Sequence, residues 1–282
     1  KVPLKQLESF ERVAARWIAA LRTLAPQVGK PASVLRQSLR LTPRSTFEEA
    51  QEAGERFAAD FDLGDVPSAK LAEVMERRLG ILVLMVDAIA GVSGAACRLP
   101  DLDTVLINRG EVAGRRHFDL AHELFHILTW DTMPPEHVEE SSETSKNRVE
   151  QLANNFASAV LMPRAVLEQH GPWEGNLVAK LNKVAEVLGV TATALKWRLV
   201  AVGMLSSAEA KTIPDVSLRN NGGKGKKLKP PPLFSKPFME VVTLAIDEGR
   251  ISLRKAADLL DTTTDEFSDL CSAHGLEAPE EL

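Results

Sequence analysis

The run Arg115-Arg116-His117-Phe118-Asp119-Leu120-Ala121-His122-Glu123-Leu124-Phe125-His126-Ile127-Leu128 constrains this chain more than any other stretch. Phe118, Ala121, Phe125 and Leu128 recur at three- and four-residue steps, the period of a core-facing helical stripe. No Pro or Gly interrupts Phe118 to Trp130. On such a helix His122 and His126 stand one turn apart on the same face and can bring two imidazoles to one metal ion. Glu123, one position past His122, points to the side of that metal, where it can accept a proton from a water. The competing explanation is a helix that carries two histidines by chance. With six His in 282 residues that coincidence is uncommon, and a second segment argues against it.

Hydrolytic zinc sites take three protein ligands and leave one position for water. The segment Asn147 to Pro163 offers the third. Val149, Leu152, Ala153, Phe156, Ala157, Val160 and Leu161 trace a helical stripe that Pro163 ends. Glu150 sits at the edge of that stripe, with Asn154 one turn further along the same face. A carboxylate in the first position can bind zinc. A polar residue in the second can orient a ligating imidazole by accepting its hydrogen bond. The alternative for Glu150 is an exposed carboxylate favoured by the helix dipole.

Ala121-His122-Glu123-Leu124-Phe125-His126, then Glu150-Gln151-Leu152-Ala153-Asn154-Asn155-Phe156-Ala157 and Leu161-Met162-Pro163, resembles the ImmA/IrrE metallopeptidases. Val105-Leu106-Ile107-Asn108 resembles the short strand that precedes the catalytic helix in that family. The resemblance covers Ser68 to Leu205. It implies that His122, His126 and Glu150 are zinc ligands and that Glu123 is the general base. It also implies a narrow protein substrate, a repressor or antitoxin cut to switch a response to stress or mobile DNA. Two positions depart from the family pattern. Phe125 replaces a common Gly, which narrows the space beside the metal if the ring turns that way. Leu152 replaces a frequent second Glu, which leaves Glu150 as the available carboxylate.

The charge balance is −5, which gives no general attraction to nucleic acid. No apolar run is long enough to span a membrane. No N-terminal stretch has the character of a secretion signal, so the expected location is the cytoplasm. Cys97 and Cys271 are far apart and lack Cys-x-x-Cys partners, as expected of free thiols in a reducing compartment. The chain opens on Lys1 rather than Met, as a fragment of a longer protein does.

The remaining elements set the architecture. Leu7, Phe10, Val13, Ala14, Trp17, Ile18 and Leu21 predict a first helix, broken by Pro26 and Gly29. Ser45 and Glu48 have capping-box spacing ahead of Phe47, Ala50, Phe57 and Phe61. A helix over 68–79, ended by Gly80, precedes three strand candidates, Ile81 to Val86, Ala95 to Leu99 and Thr104 to Asn108. These predict a small antiparallel sheet. Residues 131–146 are acidic and read as a loop carrying a solvated His137. Residues 177–188 and 191–205 resemble a helix-turn-helix, and 252–260 with 265–271 form a second such pair. Asp265, Glu266 and Asp269 would repel phosphate, whereas Lys196 and Arg198 leave the first pair less excluded. Structural helix pairs are favoured over direct DNA binding in both. Arg219 to Pro232 reads as a flexible basic linker that stiffens into polyproline.

The expected fold is α+β and mostly helical, with a small antiparallel sheet packed on a zincin-like helix pair. The expected regions are 1–67, helical; 68–215, zinc metallopeptidase; 216–232, linker; and 233–282, small helical. The alternative to a zinc endopeptidase is a regulator or toxin–antitoxin component that uses zinc structurally and binds DNA or a protein.

Overall fold

The computed structural model describes residues 4–31, 37–134, 143–220 and 229–279. The elements run α1 (Leu4–Gln27), α2 (Phe47–Asp60), α3 (Pro67–Arg78), β1 (Ile81–Val86), β2 (Gly94–Arg98), β3 (Asp103–Asn108), α4 (Ala113–Leu128) and α5 (Glu143–Leu161). They continue with α6 (Arg164–Gln169), α7 (Leu177–Leu188), α8 (Ala192–Ala201), α9 (Ser207–Thr212), α10 (Lys236–Asp247), α11 (Leu253–Leu260) and α12 (Thr264–Ala273). The chain is therefore α+β and mostly helical. Among the described residues no helix is long and apolar enough to cross a membrane. His137 and most of the acidic stretch around it, with 221–228 of the basic linker, lie outside the described residues.

Two compact units share the chain. One takes residues 1–35, 75–110 and 230–282, the other 36–74 and 111–229.

The first unit is built on the sheet, in order β1-β3-β2. β1 is an uninterrupted apolar run, buried except at half-buried Met85, as suits a strand covered on both faces. β2 and β3 form the expected antiparallel hairpin, from Gly94 opposite Ile107 to Arg98 opposite Asp103. The expectation of an all-antiparallel sheet needs correction: β1 pairs with β3 in parallel, from Ile81 opposite Asp103 to Val86 opposite Asn108. The reason is placement. β2 sits on the far side of β3, so two reversals bring β3 back beside β1 in the same direction.

Helix α1 runs through Pro26 to Gln27, past the break the sequence suggests, and stops before Gly29 at φ 69°. Proline costs one backbone hydrogen bond, which the last turn of a helix tolerates better than its middle. Trp17, Leu21 and Leu24 of α1 share one apolar core with Leu82, Leu84 and Val86 of β1 and Phe238, Val242 and Ile246 of α10. Leu260, Phe267 and Cys271 complete it. The sequence puts 1–67 and 233–282 in separate regions, yet residues from both bury their apolar faces here. Phe234 fixes the junction. Its N–H donates to Met85 O at 2.7 Å, and its ring meets Trp17 edge-on at 5.1 Å.

The second unit is helical. The capping box on α2 falls one residue later than expected. The Thr46 hydroxyl accepts from Glu49 N at 3.1 Å, and the Glu49 carboxylate accepts from Thr46 N at 2.6 Å. Ser45 instead accepts from Thr42 N, within the preceding turn. α2 then lies against α5 so closely that a Cβ on Gly54 would stand 2.6 Å from Phe156 O. Only glycine allows that approach.

The α7–α8 pair turns at Gly189, φ 62°. The turn is held from two sides: the Ser68 hydroxyl donates to Leu188 O at 2.7 Å, and His117 Nδ1 lies 2.7 Å from Gly189 O. The cations that give this pair its DNA-binding appearance face inward. Arg198 is 2% exposed and donates to Met162 O at 3.1 Å, to Gln51 Oε1 at 2.8 Å and to Glu55. Lys196 is 3% exposed and donates to Ile213 O and to Asp215 Oδ1. Neither can reach a phosphate from there. The first residues of the basic linker are also docked, since Asn220 Oδ1 accepts from the N–H and hydroxyl of Thr193.

Candidate metal centre

Helix α4 buries Leu120, Ala121, Leu124, Phe125, Ile127 and Leu128 and leaves His122, Glu123 and His126 at the edge of that face. Helix α5 packs against it, with Leu152, Ala153, Phe156 and Ala157 fully buried. The Phe125 and Phe156 rings meet at 5.6 Å between centroids and fix the rotation of one helix against the other. Phe125 therefore turns into the core, edge-on to the His126 ring. Leu152 is buried too and offers no donor.

That packing brings Glu150 over the two histidines. His122 Nε2 lies 3.1 Å from His126 Nε2 and 3.1 Å from Glu150 Oε2, and His126 Nε2 lies 3.7 Å from Glu150 Oε1. Among the described residues, His122, His126 and Glu150 form a group whose ligand atoms all fall within 4.8 Å of one another, and no fourth side chain joins it. Asn154, one turn past Glu150, places Oδ1 3.0 Å from His122 Nδ1. An amide oxygen can only accept, so Nδ1 carries a hydrogen and Nε2 is the nitrogen turned toward His126 and Glu150.

The donor set fits a metal ion. Two imidazole nitrogens and a carboxylate converge on one point, a donor set that suits a cation. In a tetrahedral site with bonds of about 2.0–2.1 Å, neighbouring ligand atoms stand about 3.3 Å apart. The separations of 3.1 to 3.7 Å observed here match that spacing.

The electrostatics follow from burial and crowding. Burial raises the Glu123 carboxyl to about 7; the charge of His122 opposes this, and those of Glu150 and Asp119 add to it. Burial works against the His122 cation, but the hydrogen bond that its Nε2 donates to Glu150 and the charges of Glu123 and Glu150 outweigh it and hold the imidazole above its ordinary value. His126 goes down to about 4, through burial first and the neighbouring His122 second. His126 thus gives up its proton readily and presents a lone pair to the cluster.

Sequence reasoning passes over Asp119. It is buried, paired with Arg115 at 3.1 Å, and close enough to His122 and Glu123 for charges to be felt. The four-residue step Arg115–Asp119–Glu123 is the signal that would have found it.

Residues 76–200 match the Peptidase_M78 family, described as an IrrE N-terminal-like domain. The radiation response metalloprotease IrrE of Deinococcus radiodurans is 36% identical over 95 residues, which cover 31% of this chain and 29% of that protein. A solved structure of a Mycobacterium tuberculosis transcriptional regulator is 22% identical, with a TM-score of 0.41, over 54% of this chain and 46% of that one. The matches span less than half the length of either relative.

Proposed function

In a chain that belongs, through residues 76–200, to the ImmA/IrrE metallopeptidase family, we propose that His122, His126 and Glu150 hold a zinc ion and that the centre hydrolyses a peptide bond in a specific protein partner. The observation that carries this reading is the three-donor cradle, with His122 Nδ1 tied to Asn154. Three protein donors leave a tetrahedral ion one position for chemistry, as hydrolytic zinc sites do.

When bound, the zinc supplies Lewis acidity toward a water and a peptide carbonyl. The protein's side chains do the rest. Glu123 takes the proton that the water gives up and delivers it to the leaving amine. Burial holds its carboxyl above the ordinary carboxylate range, which suits a group that both takes and gives a proton. Asn154 keeps the His122 ring in the tautomer that offers Nε2. The apolar faces of α4 and α5 keep the two helices from rolling apart.

The partner is a transcriptional repressor or antitoxin, and its cleavage switches a response to stress or mobile DNA. The name of the Deinococcus relative, a radiation response metalloprotease, supports this choice. The protein works in the cytoplasm. The test is incubation of the zinc-loaded chain with any repressor or antitoxin that its genomic neighbourhood encodes, read by intact-mass spectrometry. Two discrete fragments whose masses sum to the repressor plus one water are expected. An intact repressor after prolonged incubation with metal-replete protein would overturn the reading.

A further inference from the structure

The sheet unit holds a cleft of about 270 Å³ that takes no part in the proposed zinc chemistry. Its walls are mainly apolar, with Leu21 and Ala25 of α1, Ile81 and Leu82 of β1, and Phe238 and Val241 of α10. Glu76 and Arg77 of α3 and Lys30 also line it. The Ser235 hydroxyl and the Val83 N–H favour the Glu76 carboxylate, yet its Oε1 is buried with no hydrogen-bond partner. A buried acceptor left unpaired is costly and uncommon in a folded protein. Glu240, also in the lining, pairs with Lys30 at 3.2 Å and so leaves Glu76 without that lysine. Apolar walls with one unmet polar atom are the usual make-up of a small-molecule site.

We propose that this cleft binds a small, mainly apolar primary amine, its body against Leu21, Ile81 and Val241 and its ammonium group donating to Glu76. The ammonium supplies the hydrogen-bond donor that Oε1 lacks and the positive charge that a buried carboxylate needs. Burial raises the Glu76 carboxyl to about 7, and the charges it feels are those of Arg77 on its own helix and Glu240 on α10. Amine binding therefore requires loss of the Glu76 proton and weakens as pH falls below 7.

The probe is cyclohexylamine, with cyclohexanol as its neutral counterpart, titrated into the full chain and followed by heteronuclear NMR. At pH 8 the amine should give saturable shifts at residues of the cleft, with an affinity at least tenfold above that of the alcohol. The amine stays charged from pH 5 to pH 8, so its binding should fall at least tenfold at pH 5 through Glu76 alone. Glu76→Gln should bind the amine at least tenfold more weakly at pH 8 and the alcohol unchanged. Absence of saturable shifts in the cleft, equal binding at the two pH values, or equal amine binding by Glu76→Gln would each overturn the proposal. The pH comparison uses the unaltered chain, so it decides the matter even if the variant folds poorly.

Discussion

Asn154 Oδ1 lies 3.0 Å from His122 Nδ1, while Nε2 of the same ring lies 3.1 Å from Glu150 Oε2. Both partners stand on α5, one turn apart, so a single helix face supplies the carboxylate beside His122 and also the group that fixes the His122 tautomer. Replacing Asn154 by Ala removes the second contact and keeps the first. Zinc affinity should then fall about 10–100-fold, the usual cost of losing a group that orients a ligand. Competition with a chromophoric chelator measures it; unchanged affinity would remove Asn154 from the site.

His122→Ala and His126→Ala each delete one of three donors. Purified protein should lose stoichiometric zinc in both cases, by elemental analysis. A variant that still holds one zinc per chain would show that the cradle is not the binding site.

Glu123→Gln separates an enzyme from a metal-stabilised binder. It keeps the size and polarity of the side chain but cannot take a proton. Zinc content and melting temperature should stay close to those of the parent, while cleavage of the partner falls about 10²–10⁴-fold, the loss typical of a missing general base. If cells carrying this variant keep the response that His122→Ala abolishes, the metal is structural and the peptidase reading fails.

Arg198 ties three helices together through Gln51, Glu55 and Met162. Arg198→Met leaves Gln51 Oε1 without its donor and a partly buried Glu55 with only the Arg164 N–H. Removing one partner of a buried pair costs on the order of 3 kcal/mol. Urea denaturation should show that loss. A variant as stable as the parent but defective in binding DNA would instead return Arg198 to a surface role.

Glu76 gives the sheet unit a pH-dependent stability. Its carboxyl titrates near 4.5 ordinarily and near 7 in the fold. Between those values the native chain holds more protons than the unfolded one, so stability falls as pH rises, with the full loss reached above 7. Glu76→Gln cannot ionise. It should flatten that slope and raise stability at pH 8 by at most about 3 kcal/mol, with little gain at pH 4. Denaturation at the two pH values checks the sign, and a larger gain at pH 4 than at pH 8 would contradict it.

The sequence by itself determined what depends on short-range periodicity. The spacing of His122 and His126 puts them on one helical face, the 3.6-residue repeats locate most helices, and the run Ile81 to Val86 reads as a strand. Glu150 and Asn154 also share a face by spacing alone, though twenty or more residues separate them from the histidines. Only the tertiary structure decided which groups meet across elements. Whether β1 runs parallel to β3 depends on which side of β3 receives β2, and no local pattern encodes that. The inward turn of Lys196 and Arg198 depends on acceptors such as Gln51, Glu55 and Asp215, distant in sequence. The cleft beside Glu76 arises where α1, α3, β1 and α10 fail to fill the space among them. A void is a property of packed side chains together, so it leaves no mark on any one stretch of the chain.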